Sequence, residues 1–302
     1  EVVPVYAADG HRLGQLHGDE DRSALAQGSG GLEVRAGLVD EQVEDVGDLL
    51  VLDGDVVGAD DAQVVHGAGD GVGAHGHEPV GAIEKLGSAV EGYAEGQRVI
   101  AGAITPSGHS YACLCGCGSQ DGAGTKHGFK AMGGWKFGNT IDGCQAEYVL
   151  VKDAMANLSP IPDHLTDDQV LMCPDIMSTG FSGAESGGVR IGDTVVVFAL
   201  GPIGLCAVAG AKLMGATTII GVDTVPARME VARKLGADHV IDFKAGDPVE
   251  QVLALTGGRG ADVAIEALGT QATFRSALEV LRPGGTLSSL GVYSSDLTIP
   301  LG

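Results

Sequence analysis

The sequence predicts an α/β protein, a doubly wound parallel sheet preceded by a smaller β-rich domain. Three observations carry this. Residues 194–223 read as strand, glycine-rich turn, helix and strand. Beyond Asp223, short apolar runs alternate with helical stretches, the pattern of βαβ units. Between His75 and Arg190, short runs are broken by glycine turns, which suits a compact barrel-like domain.

The stretch from Thr194 to Asp223 organises the chain. Val195-Val196-Val197-Phe198 has the length and β-branching of a buried parallel strand. The turn Ala199 to Gly204 follows, then an Ala- and Leu-rich helix from Leu205 to Met214, closed by Gly215. A second strand, Thr218 to Val222, ends on Asp223. This is the layout of a dinucleotide-binding unit. Gly201 lets the backbone approach a pyrophosphate, and Gly204 lets helix and strand pack closely. Pro202 suits a first helical turn because it has no N–H to satisfy. Ile203 lies in that turn, whose N–H groups and dipole favour phosphate. Asp223 lies 22 residues after Gly201, where a carboxylate accepts ribose hydroxyls and repels a 2′-phosphate, so NAD is favoured over NADP. The motif departs from G-x-G-x-x-G at its first glycine, which is Ala199.

The alternation then continues. Pro226 to Leu235 is a predicted helix closed by Gly236, and His239-Val240-Ile241 a strand. Val249 to Leu255 is a helix, Asp262 to Glu266 a strand, and Ala272 to Leu281 a helix stopped by Pro283-Gly284-Gly285. Thr286 to Leu290 is the last strand.

The formal charge of −22 over 302 residues disfavours nucleic acid or an anionic membrane as partner. No apolar run is long enough to span a bilayer. The six cysteines do not form a secreted disulfide framework, and a cytoplasmic location is expected. Much of the charge sits in residues 1–74, with 16 acidic and 3 basic residues and no Ile, Lys, Asn, Thr, Phe, Met, Trp or Cys. Three readings of this atypical acidic segment stay open. It is a disordered extension, a β-rich domain with strands at 48–52 and 56–57, or a mistranslated or rearranged segment. The last reading rests on codon usage, since nearly every residue belongs to codon families beginning with G or C. The expected organisation is therefore 1–74 atypical, 75–190 barrel-like and 191–302 nucleotide-binding.

Four stretches carry a family resemblance: GHEPVG at 76–81, GGWKFGNTIDG at 133–143, CPDIMSTGF at 173–181, and the glycine turn already described. With these, residues 76–302 resemble the zinc-dependent alcohol dehydrogenases of the medium-chain dehydrogenase/reductase superfamily, in the bacterial secondary-alcohol branch. The resemblance implies a Rossmann domain beside a partial GroES-like β-barrel catalytic domain. It implies a catalytic zinc held by His77 and Asp175, with Glu78 as a neighbouring or exchanging carboxylate. It places Thr179 against the nicotinamide ring and Trp135 in the wall of a small substrate pocket. Arg228 would meet the adenosine ribose or phosphate, and the loops at Leu268 and Leu290 the nicotinamide end. The implied reaction is hydride transfer between NAD and a small, secondary alcohol or its ketone. The homo-oligomers of relatives are commonly tetramers.

Read without the resemblance, His77 is a buried histidine, Asp175 a helix cap, Trp135 a core residue and Arg228 a solvated charge. Several departures stand beside it. The family's first zinc ligand is a cysteine upstream of the histidine, yet residues 1–74 hold none, and the proton relay has no counterpart. The structural-zinc positions carry Ser107, Ser110, Cys113 and Asp121, so that lobe reads as zinc-free. The chain stops at Gly302 where relatives continue, which would leave a sheet edge uncovered. The alternatives are an inactive NAD-binding fragment, or a polyol or amino-alcohol dehydrogenase of the same superfamily.

Overall fold

Every position of Thr194–Phe198 is buried, as a strand covered on both faces requires. In the computed structural model this strand is the third of a seven-stranded sheet. The structure describes residues 76–122 and 129–299, with three short strands at 3–6, 12–16 and 62–65. The seven strands are β1 (Val3–Tyr6), β2 (Arg12–Leu16), β8 (Thr194–Phe198), β9 (Thr218–Asp223), β10 (His239–Asp242), β11 (Ala261–Glu266) and β12 (Leu281–Ser289). Their order is β10-β9-β8-β11-β12-β1-β2, and β8 to β12 pair in parallel.

Alternation along β8 splits its side chains between two cores. Val195 and Val197 pack with Ala207, Val208 and Ile219 on one face. Val196 and Phe198 pack with Val252, Phe274 and Ala277 on the other. Each such fully buried side chain contributes roughly 1.5–3 kcal/mol. The helices Pro202–Leu213 and Pro226–Leu235 belong to the first face, Pro248–Leu255 and Gln271–Glu279 to the second. Gly236 closes its helix at φ 115, a left-handed turn that needs glycine.

Two expectations are corrected here. The helix expected to reach Leu281 ends at Glu279, and β12 begins at Leu281 rather than Thr286. The reason is local: Ala261 N donates to Val280 O, and Arg282 Nε donates to Asp262 Oδ1 at 2.6 Å, which pulls this turn onto β11. The sheet edge expected to lie uncovered beyond β12 is paired by β1, with Val5 opposite Leu287.

The second unit holds a five-stranded sheet of β3 (Ala62–Val65), β4 (Val80–Leu86), β5 (Arg98–Ala101), β6 (Tyr148–Val151) and β7 (Leu158–Pro160), ordered β6-β3-β4-β5-β7 with antiparallel pairs. Ile83, Val99, Phe137, Val149 and Val151 form its core. The described residues divide into this unit, within 43–178, and the larger sheet with 179–302. The helix Ser178–Ser186 therefore goes, from Thr179 on, with the parallel sheet rather than with the barrel. Its small residues explain why: a Cβ on Gly180 would meet Cys206 Cβ at 2.5 Å, and one on Gly183 would meet Leu290 Cδ1 at 2.5 Å. The strands expected at 48–52 and 56–57 lie outside the described residues.

Candidate metal centre and nucleotide site

The segment Gly76-His77-Glu78 enters β4 with Gly76 at φ +88, and Cys144 N donates to Gly76 O at 3.0 Å. Asp175 sits on a five-residue π-helical turn, Cys173–Met177, closed by Met177 N donating to Met172 O at 2.8 Å. Such one-residue expansions recur at functional sites. This brings His77 Nε2 to 2.9 Å from Asp175 Oδ2 and 3.3 Å from Glu78 Oε1. All three are half-buried, and their ligand atoms lie within 4.8 Å of one another.

Nitrogen and carboxylate oxygen bind zinc at about 2.0–2.2 Å, so ligands sharing one ion stand about 3–4 Å apart. The donor set fits. It is the one group of three metal-ligating side chains with this convergence among the described residues. Glu78, which the sequence reading left as a neighbour or exchanging group, brings a third potential donor within reach of the other two. Trp135 stands edge-on to His77, ring centroids 5.9 Å apart at 82°. Its Nε1 is buried without a hydrogen-bond partner among the described residues. Cys144 is buried close by; burial and the charge of Glu78 push its thiol up to about 12.

The four positions of the 107–121 lobe bond to one another. Asp121 is buried and accepts from Ser107 N at 2.6 Å and Ser107 Oγ at 3.2 Å, while Ser110 Oγ donates to Cys113 Sγ at 3.2 Å. Burial alone raises the Asp121 pKa, but the donors from Ser110, Ser107 and Cys113 outweigh it, and the net shift is downward.

In the parallel unit, the turn after β8 is built by close backbone contact. A Cβ on Gly204 would fall 1.9 Å from Ala199 O, whereas one on Gly201 would meet nothing within 4 Å. Gly201 is the N-cap of the helix opened by Pro202 and has no side chain to cap it, and the N–H groups of such a first turn, here including Ile203 and Gly204, favour an anion. Ala199, where the motif expects glycine, adopts φ 69. Asp223 ends β9 almost fully buried. Its Oδ2 accepts from Leu200 N at 2.8 Å, and its Oδ1 from Thr224 N at 2.6 Å and Val225 N at 2.9 Å. Burial raises its pKa, but the Val225, Leu200 and Thr224 N–H groups and Arg228 prevail and hold it below the ordinary carboxylate value. Arg228 NH1 is 3.8 Å from Asp223 Oδ2 and half exposed.

Thr179 is half-buried in the first turn of its helix. Leu268 is exposed after β11, whereas the Leu290 side chain is turned into the core, so only its backbone lies at the sheet edge. Sequence reasoning passed over Glu266, fully buried at the end of β11. An acid directly after the buried apolar run Val263-Ala264-Ile265 was the available signal.

Comparison with known proteins identifies the family. The alcohol dehydrogenase GroES-like domain family matches residues 54–163, and the zinc-binding dehydrogenase family matches residues 202–302. The first match begins inside the compositionally distinct segment. An alcohol dehydrogenase from Cupriavidus necator is 69% identical over 233 residues, which cover 75% of this chain and 64% of that relative. The chain thus spans less than two thirds of that protein's length. An NADP-dependent isopropanol dehydrogenase from Thermoanaerobacter brockii is 37% identical over 226 residues, covering 75% and 62%. The solved alcohol dehydrogenase TADH from Thermus sp. ATN1 superposes with a TM-score of 0.72 at 32% identity, covering 83% of this chain and 75% of that one. Conserved fold, matched domains and a zinc-compatible donor set converge, and the chain belongs to the zinc-dependent alcohol dehydrogenases of the medium-chain dehydrogenase/reductase superfamily.

Proposed function

We propose that this protein oxidises a small secondary alcohol with NAD, using a zinc ion held by His77, Glu78 and Asp175. The observation that carries the reading is the convergence of those three side chains. A zinc bound there would act as a Lewis acid and lower the pKa of the alcohol hydroxyl. The chain's own residues do the rest. The indole of Trp135, edge-on to His77, limits the space beside the ligands and favours a small substrate. The glycine turn and the start of its helix hold the pyrophosphate. Thr179 packs against the nicotinamide, with the loops at Leu268 and Leu290 beside it.

Asp223 sets the cofactor. Its buried carboxylate, kept ionised by three backbone donors, accepts ribose hydroxyls and repels a 2′-phosphate. The proposed preference for NAD differs from the cofactor named for the Thermoanaerobacter brockii relative. A homo-oligomer in the cytoplasm completes the reading. The cytoplasmic location is supported by cysteine usage unlike that of secreted domains.

Steady-state oxidation of propan-2-ol by the full chain tests this. The expected result is turnover with NAD at a kcat/KM at least about tenfold above that with NADP, the discrimination worth about 1.4 kcal/mol. Preference for NADP would overturn the assignment of Asp223. A second reading, nucleotide binding without turnover, is favoured by one observation, the lack of any cysteine in residues 1–74. NADH binding with no zinc and no turnover would establish it.

A further inference from the structure

The Glu266 carboxylate is fully buried and pairs with no cation among the described residues, yet it accepts hydrogen bonds on both oxygens. Oε1 accepts from Leu268 N at 3.0 Å, Gly269 N at 2.9 Å and Thr273 Oγ1 at 2.6 Å. Oε2 accepts from Tyr293 OH at 2.6 Å, and that hydroxyl also meets Ser289 Oγ at 2.6 Å. Burial and the neighbouring carboxylate push the Tyr293 pKa upward, so the phenol stays protonated. The Tyr293 ring packs edge-on against Phe274, centroids 5.9 Å apart. One side chain thus joins the loop after β11, the start of the helix Gln271–Glu279, and the loop after β12.

The two loops also touch directly. A Cβ on Gly269 would fall 2.3 Å from Val292 O, and one on Gly291 would fall 2.1 Å from Gly269 N and 2.5 Å from Glu266 Oε2. Leu290 N donates to Glu266 O at 2.7 Å. Residues 267–270 and 290–293 therefore form a single plate at the carboxyl edge of the sheet.

Strand order says what lies over that plate. Asp223 closes β9, the glycine turn follows β8, and β11 and β12 come next in the same direction. Strands are spaced about 5 Å apart. A dinucleotide with its adenosine ribose at β9 and its pyrophosphate at β8 must extend its second nucleoside over β11 and β12. The apolar side chains exposed there are Leu268 and Val292.

We infer that Glu266 is a positioning residue for the nicotinamide half of the cofactor, acting through Tyr293 and the Leu268 and Gly269 amides. The inference rests on the proposal that the chain binds NAD. Glu266 does not touch the nucleotide; it fixes the surface on which the nicotinamide ring lies, so its removal costs affinity for the ring alone.

The test compares NADH with ADP-ribose, which keeps the adenosine, pyrophosphate and second ribose but lacks nicotinamide. Both are titrated into the full chain and into Glu266→Gln and Tyr293→Phe, below the melting temperature of each. Glu266→Gln replaces the acceptor carboxyl group by an amide, and Tyr293→Phe removes its phenol donor. The expected result is NADH binding weakened about five- to tenfold by Glu266→Gln and about threefold by Tyr293→Phe, with ADP-ribose unchanged within about twofold. Tyr293→Phe keeps the ring against Phe274, so it carries the test should Glu266→Gln fail to fold. Equal weakening of both ligands, or a lowered melting temperature with unchanged NADH affinity, would overturn the role. Wild-type protein that binds neither ligand would overturn the cofactor assignment itself, and the inference with it.

Discussion

His77 Nε2 and Asp175 Oδ2 lie 2.9 Å apart although 98 positions separate them in the chain. That contact joins the start of β4 to a π-helical turn and makes two distant motifs one site. Truncating either end removes a ligand of the proposed zinc. Asp175→Ala is expected to weaken zinc binding by at least about 100-fold, since even outer partners of a ligand are worth about 10–100-fold. Glu78→Gln, which keeps one neutral oxygen, is expected to cost less. Competition against a chromophoric chelator measures both. Equal zinc affinity in Asp175→Ala and the wild type would remove Asp175 from the ligand set.

Two glycines three residues apart are expected to behave oppositely. Gly204→Ala puts a methyl 1.9 Å from Ala199 O, a clash with backbone that cannot rotate away. It should destabilise the protein by roughly 2–4 kcal/mol or prevent folding. Gly201→Ala meets no protein atom within 4 Å, so the melting temperature should be nearly unchanged while NADH affinity falls at least about tenfold. Thermal melts and nucleotide titrations on the two variants separate packing from ligand approach. Undiminished NADH binding by Gly201→Ala would place the pyrophosphate elsewhere.

Ala199→Gly is expected to stabilise the protein. Ala199 holds φ 69, a left-handed conformation that costs an alanine about 1–2 kcal/mol. Glycine removes that cost but adds unfolded-chain entropy, leaving a net gain of about 0.5–1 kcal/mol. A lower melting temperature in this variant would contradict the account of the turn.

How much of this was legible in the sequence differs between the two halves. The parallel sheet was legible because each strand is a short apolar run bounded by glycine or proline, and the helix over 226–235 falls where its proline and glycine put it. Leu281 was misread because its place is set by Asp262 and Val280 across a strand boundary, a contact that no local pattern encodes. His77 and Asp175 were individually nameable from their motifs, yet their meeting depends on the path of the whole barrel. The helix from Thr179 was assigned to the wrong neighbour for a similar reason: Gly180 and Gly183 read as weak helix formers until the side chains of Cys206 and Leu290 are placed against them.

A dependence of stability on pH follows from Asp262. Burial raises its pKa, but Arg259, Arg282 and Thr194 N hold the net value far below the ordinary carboxylate range. A depressed folded-state pKa means that the contribution is complete above the unfolded value of about 3.9 and is lost as pH falls through the lower folded value. Asp262→Asn should therefore be less stable by roughly 1–3 kcal/mol at neutral pH, with the gap to wild type narrowing below about pH 4. Denaturant melts across pH 3–7 would show this. A gap that widens in acid would reverse the sign and contradict the assignment.

The central claim is a zinc held by one imidazole and two carboxylates with no thiolate. Substituting cobalt for zinc in the full chain and recording its electronic spectrum tests that claim most directly. The account predicts about one metal per chain, the intense visible bands of a low-symmetry four-coordinate ion, no sulfur-to-cobalt charge-transfer band, and loss of the signal in His77→Ala. A thiolate charge-transfer band would bring Cys144 or Cys173 into the ligand set, and the absence of any bound cobalt would contradict the site altogether.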